Sequence, residues 1–143
     1  MKLAGLKSVD GAHEESIWAA AWAPAADHRP TAVLLTGALD ETVRAWLPDD
    51  LAALGCPARG HALRVISLAA HPAGALAATV SLDSFIRIFD VDTGASVATL
   101  EAPSSEVWGV QFHPKVSARL VPPLVGTLDF LEGKNGCFPA ILL

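Results

Sequence analysis

Thr36-Gly37-Ala38-Leu39-Asp40-Glu41-Thr42-Val43-Arg44-Ala45-Trp46 returns 43 residues later as Thr79-Val80-Ser81-Leu82-Asp83-Ser84-Phe85-Ile86-Arg87-Ile88-Phe89. The hydroxyl, the leucine, the aspartate, the arginine and the closing aromatic ring keep their places. Self-similarity at a fixed period of about 20–50 residues is the mark of stacked supersecondary units, none of which buries its apolar face alone. Upstream of each block lies a second matched stretch. Ile17-Trp18-Ala19-Ala20-Ala21-Trp22-Ala23-Pro24 corresponds to Val65-Ile66-Ser67-Leu68-Ala69-Ala70-His71-Pro72, and a third occurrence is Val107-Trp108-Gly109-Val110-Gln111-Phe112-His113-Pro114. Short runs rich in Val, Ile, Thr, Phe and Trp, punctuated by Pro, Gly and Asp, are strand signals. Strands are expected at 17–22, 32–37, 42–46 and, more weakly, 51–55, then at 65–70, 75–80, 85–89 and 95–100, with a further one at 107–112. Leu39-Asp40-Glu41 and Leu82-Asp83-Ser84 are the tight turns. The alanine run from Ala19 to Ala26 has helix propensity, but Pro24 interrupts it and the repeat register outweighs that preference.

Each unit therefore holds four short strands, a small residue and histidine before the first (Ala12-His13, Gly60-His61) and an aromatic ring closing the third (Trp46, Phe89-Asp90). This arrangement resembles the WD repeat, whose four-stranded blades build β-propellers. The resemblance implies a buried hydrogen-bond chain in each blade, here His13, Thr36, Asp40 and Trp46 in unit one and His61, Thr79 and Asp83 in unit two. The residue types suit it, since an indole N–H only donates, a hydroxyl both accepts and donates, and a carboxylate accepts from imidazole. Phe89 stands where unit one has Trp46 and cannot donate, so the second chain is a link shorter.

Over residues 1–115 the sequence is similar to a WD-repeat subfamily shared by two assemblies. These are the RNA polymerase II-associated factor complex, acting in transcription elongation and histone methylation, and the superkiller complex, which feeds mRNA to 3′-to-5′ decay. The resemblance implies a non-catalytic scaffold in nucleus and cytoplasm whose partners are protein subunits, with no cofactor, metal or small-molecule substrate. Trp18 and Trp108, large amphipathic anchors on equivalent first strands, are candidate partner contacts. Arg44 and Arg87, at matched places on third strands, are weaker candidates.

The expected fold class is all-β, an incomplete propeller of two blades and the first strand of a third, with the ring not closed. Residues 1–11 form an N-terminal segment suited to an outer strand, 12–58 blade one, 59–102 blade two, 103–115 the start of blade three and 116–143 a divergent tail outside the propeller. Even a four-bladed ring at about 40–45 residues per blade exceeds the 143 residues present, so closure within one copy is excluded. In the tail, Leu124-Val125-Gly126-Thr127-Leu128-Asp129 echoes Leu35 to Asp40, but no aromatic strand is expected after Asp129, and the tail reads as the product of splicing or of a gene-model error. Uncapped blade faces predict a chain that associates.

Composition narrows the function classes. At 143 residues, 52% hydrophobic and 17% charged, the chain suits one ordered domain. A net charge of −5 gives no phosphate-tracking surface, so direct nucleic-acid binding is not expected. Leu3 to Leu6 is too short for a secretory apolar core, and His71, Pro72 and Gly74 interrupt the most apolar stretch, so no membrane association is expected. Cys56 and Cys137 lack a partner motif, which fits a reducing compartment. A metal-dependent hydrolase is the competing reading, using His13, His61, His71 and His113 with Asp40 and Asp83. The repeat accounts for these side chains more simply, and His13-Glu14-Glu15 lacks the second histidine of a metalloprotease helix. A truncated product without a role of its own is the third reading.

Overall fold

In the computed structural model the chain is described over residues 7–101, 107–112, 129–131 and 140–142, and every regular element among them is a strand. Unit one contains β1 (Ile17–Ala23), β2 (Val33–Ala38), β3 (Val43–Trp46) and β4 (Ala53–Ala58) as an antiparallel meander in sequence order. Unit two repeats it with β5 (Val65–Ala70), β6 (Leu76–Ser81), β7 (Phe85–Asp90) and β8 (Ser96–Glu101). Over the described residues the fold is thus all-β, with two open four-stranded blades that do not close into a ring.

The two central turns are alike to the residue. Asp40 accepts the Thr42 N–H at 3.1 Å and Asp83 the Phe85 N–H at 3.0 Å, while Glu41 and Ser84 between them both take the left-handed backbone, at φ 67° and 65°. An aspartate that hydrogen-bonds two residues ahead stands in for a backbone turn and holds a residue in a region that L side chains seldom occupy. The first strand of each unit also carries the same irregularity. Register shifts between Ile17 and Ala19 opposite β2, and between Val65 and Ser67 opposite β6. A bulge of this kind takes one residue out of the pleat and re-aims its side chain. That residue is Trp18 in unit one and Ile66 in unit two.

Strand β4 starts two residues later than the sequence pattern predicts. The Leu47 carbonyl accepts the Leu51 N–H at 3.0 Å and Asp50 accepts the Ala52 N–H, so residues 47–52 are spent on a turn with Leu51 at φ 55°. The third unit supplies β9 (Gly109–Gln111), shorter than the expected 107–112. Two further strands, β10 (Asp129–Leu131) and β11 (Ala140–Leu142), come from the stretch that reads as a tail, and β10 begins at Asp129 itself, where the sequence pattern predicts no aromatic strand. They form one sheet in the order β10-β11-β9, with β11 antiparallel to β10 and parallel to β9. The parallel pairing departs from the meander of the first two units. His113 and Cys137 lie outside the described residues.

Two apolar layers hold the units together. Ala23, Val33, Leu35, Val43 and Ala45 of unit one pack on Val65, Leu68, Ala77, Phe89 and Val91 of unit two. On the other face of unit two, Ala78, Val80, Ile86 and Ile88 meet Val107 and Val110. Each fully buried branched side chain contributes about 1.5–3 kcal/mol relative to exposure. The outer face of unit one is different: Trp22 pairs in register with Leu34, and Leu34 with Trp46, yet Trp22 remains 58% exposed.

Candidate functional site

The paired histidines and aspartates converge inside each blade. In unit one the Trp46 indole N–H donates to Thr36 Oγ1 at 2.8 Å, and that hydroxyl lies 2.8 Å from His13 Nε2. On the far side of the ring His13 Nδ1 is 2.9 Å from the Asp40 carboxylate. An ionised carboxylate only accepts, so Nδ1 carries the proton, and in the neutral ring Nε2 accepts from threonine. Asp40 also takes the Glu14 N–H at 3.0 Å and the Thr42 hydroxyl at 2.7 Å. Unit two repeats the chain: Thr79 Oγ1 lies 2.8 Å from His61 Nε2, and His61 Nδ1 donates to Asp83 at 3.0 Å. Asp83 further accepts the Ala62 N–H at 2.9 Å. The indole link is missing from this second relay, because residue 89 is phenylalanine.

This geometry fixes what the groups can do. Both ring nitrogens of His13 and of His61 are engaged, leaving no lone pair for a metal ion. Among the described residues no group of three or more His, Cys, Asp or Glu side chains is placed to hold one. The hydroxyls of Thr36 and Thr79 are buried and aimed into the relay, not at a cleft. His71 Nδ1 accepts the Ala73 N–H at 3.0 Å and its ring stands edge-on to Phe112, so it closes a turn.

Burial alone would raise the Asp40 carboxyl, but the Thr42 hydroxyl, the Glu14 amide, the His13 ring and the Thr42 amide together hold it down, from the ordinary 3.8 to about 2. Asp83 is lowered in the same way, its burial outweighed by the Ala62 and Phe85 amides and by His61. Burial pushes His61 and His71 below their ordinary 6.5, against the pull of Asp83 in the case of His61. A histidine depressed in the folded state leaves the unfolded chain to take up protons first, so stability declines as pH falls below 6.5. Depressed Asp40 contributes fully above about pH 4 and loses that contribution toward about pH 2, and Asp83 acts in the same direction. Melting temperature is expected to be level above about pH 7 and to step down twice, below about pH 6.5 and again below about pH 4. A curve that stays level from about pH 7 to about pH 3 contradicts the buried relays.

The remaining candidates separate. Trp18 is 64% exposed and Trp108 39%, and with Leu39, Arg64, Ile66 and Leu82 they line one cleft. Arg44 and Arg87 are half-buried instead, and the Nε of each is buried with no acceptor among the described residues. Arg87 lies in the seam between units beside His61 and Phe89, where its Nη1 donates to Thr99 at 3.1 Å. Its place is thus a half-buried one in the seam, unlike that of the two tryptophans.

One cluster is missed by comparing the repeats. Arg29 is buried and donates from Nη1 to Asp92 at 2.8 Å, from Nη2 to the carbonyls of Pro24 and Gly74, and from Nε to that of Thr31. His28 joins from the exposed side, on the other oxygen of Asp92. The signal that could have found it lies in the spacing. The first-strand prolines Pro24 and Pro72 lie 48 residues apart and the turn aspartates 43, so unit one has five extra residues between its first two strands, and that insertion carries Arg29.

The profile of the WD domain, G-beta repeat, matches residues 6–46, which hold β1 to β3, and 55–90, which run from within β4 to the end of β7. The chain belongs to the WD-repeat family. Over 115 residues, 80% of its length, it is 62% identical to WD repeat-containing protein VIP3 of Arabidopsis thaliana. Over 105 residues, 72% of its length, it is 35% identical to WD repeat-containing protein SL1-17 of Schistosoma mansoni. It spans about a third of the length of these curated relatives. Within its WD repeats the difference at residue 89 is testable. Phe89, Thr79 and His61 share the lining of a small void in the seam. Phe89→Trp is expected to restore the indole-to-threonine bond and to raise stability by about 0.5–1.5 kcal/mol, read in chemical denaturation. A loss of more than about 1 kcal/mol means that the seam is overpacked by the substitution.

Proposed function

We propose that this chain acts as a non-catalytic protein-interaction scaffold, serving the RNA polymerase II-associated factor complex in transcription elongation and histone methylation, and the superkiller complex in mRNA decay. On this reading it works in both nucleus and cytoplasm. The observation that supports it most is how its polar and apolar groups are distributed. The imidazoles, carboxylates and hydroxyls that could do chemistry are consumed by one another inside the blades, while large apolar side chains from three units line one cleft. Rigid sheets with an open apolar cleft suit binding, where exposed aromatic anchors contribute most. The 62% identity to VIP3 favours the named assemblies.

The test is affinity purification of the epitope-tagged chain from Arabidopsis cells with full-length VIP3 as reference, the bound proteins identified by mass spectrometry. Recovery of subunits of either complex is expected. Recovery with the reference and none with this chain removes the assignment.

A further inference from the structure

The cleft between the tryptophans is built by the repeat itself. Trp18 and Ile66 are the residues that the two bulges take out of the pleat, and Trp108 holds the same place in the third unit's sequence. Leu39 and Leu82 come from equivalent turns. Three units thus deliver five apolar side chains to one opening of about 140 Å³. An engineered cavity of about 150 Å³ lined by apolar side chains admits benzene, so this one has room for a single phenyl-sized group.

The sixth lining residue is Arg64. Its place before the first strand is held by Ser16 in unit one and Glu106 in unit three, so the cation is particular to this cleft and not a property of the repeat. Arg64 is exposed and forms no ion pair with any described residue. The turn carboxylates Asp40 and Asp83 are committed to His13, His61 and backbone amides. A guanidinium at the rim of an apolar wall recognises a carboxylate with two parallel hydrogen bonds. It also repels the basic side chains that two tryptophan faces would otherwise attract.

Resting on the scaffold reading, we infer that this cleft docks a short acidic-apolar segment of a partner protein, with one aromatic or large aliphatic side chain between Trp18 and Trp108 and an adjacent Asp or Glu on Arg64. The segment binds as a local peptide, since the cleft accommodates one anchor and one charge.

The experiment uses the full chain of 143 residues and the fluorescein-labelled peptide Gly-Ser-Asp-Glu-Phe-Leu-Gly-Ser, followed by fluorescence anisotropy at low salt. Two control peptides replace both acids by Lys, or Phe and Leu by Ala. The acidic-apolar peptide is expected to bind at least about tenfold more tightly than either control. Arg64→Glu should reverse the preference between acidic and basic peptides. Trp18→Ala should weaken binding by about tenfold with an unchanged melting temperature, because both substituted side chains are exposed and removed from the core. Equal binding of acidic and basic peptides, or a preference that survives Arg64→Glu, overturns the inference, as does a saturable response that light scattering traces to pairing of the chain with itself. Failure here with complex subunits still recovered by the tagged chain removes the docking site and leaves the scaffold. Selective peptide binding with no subunits recovered does the reverse.

Discussion

Asp40→Ala is expected to cost about 3–5 kcal/mol, as when one acceptor is taken from several donors at about 1–3 kcal/mol for each buried one. Against a total of about 5–15 kcal/mol for a native domain, that is a large share of what holds the fold. The carboxylate accepts from the His13 ring, the Glu14 and Thr42 amides and the Thr42 hydroxyl. Alanine leaves all four donors without it. His13 suffers most: its side chain is fully buried, so water does not replace the lost acceptor, and an unpaired buried donor carries its whole desolvation penalty. The turn suffers next, because the Thr42 N–H bond to Asp40 is what holds Glu41 in its left-handed conformation. Asp83→Ala should cost less, since it strands three donors, those of His61, Ala62 and Phe85. By thermal melting followed in far-ultraviolet circular dichroism, Asp40→Ala should lower the midpoint by more than about 10 °C, and by more than Asp83→Ala does. A fall of less than about 3 °C, or the opposite order, would show that the relay decorates the blade and does not hold it.

The two blades are legible in the sequence because their determinants are local. In each hairpin block the relay hydroxyl, Thr36 or Thr79, stands four residues before the turn aspartate, and the closing ring, Trp46 or Phe89, six after it. Strand alternation, turn chemistry and every relay member but the histidine therefore lie within eleven residues, and the second copy confirms the register of the first. The features that are not legible depend on contacts distant in the chain. The bulges that re-aim Trp18 and Ile66 are register relations between paired strands. The pairing of β11 with β9 joins residues about thirty apart with no repeat to announce it. Strand β4 starts late because the turn at residues 47–52 is set by backbone bonds to Leu47 and Ala52, which composition does not specify. Arg29 sits in the one segment that the repeat leaves unmatched, so comparison between the first two units passes over it.

That unmatched segment gives the second large effect. Arg29→Met is expected to cost about 3–5 kcal/mol although it retains the length and apolar stem of the side chain. The guanidinium joins the two units: Pro24 and Thr31 belong to unit one, Gly74 and Asp92 to unit two, and all accept from it. Lysine does not replace it, because a single ammonium group cannot span four acceptors arranged around a planar fork. The surrounding backbone is closely fitted as well. Gly74 has φ +77°, and a Cβ there would stand 2.2 Å from the Pro24 carbonyl oxygen, so the turn of unit two approaches unit one as only glycine permits. Burial would raise the Asp92 carboxyl, but His28 and Arg29 hold it below its ordinary value, and methionine leaves it half-buried with His28 alone. Because Trp18, Trp22 and Trp46 all belong to unit one, tryptophan fluorescence follows mainly that unit while circular dichroism follows both. In Arg29→Met the fluorescence transition should precede the dichroism transition, where the two coincide in the unsubstituted chain. A double-mutant cycle with Asp92→Asn isolates the pair, and a coupling of about 1–3 kcal/mol is expected. Coincident transitions together with a coupling below about 0.5 kcal/mol would mean that the apolar seam alone joins the units.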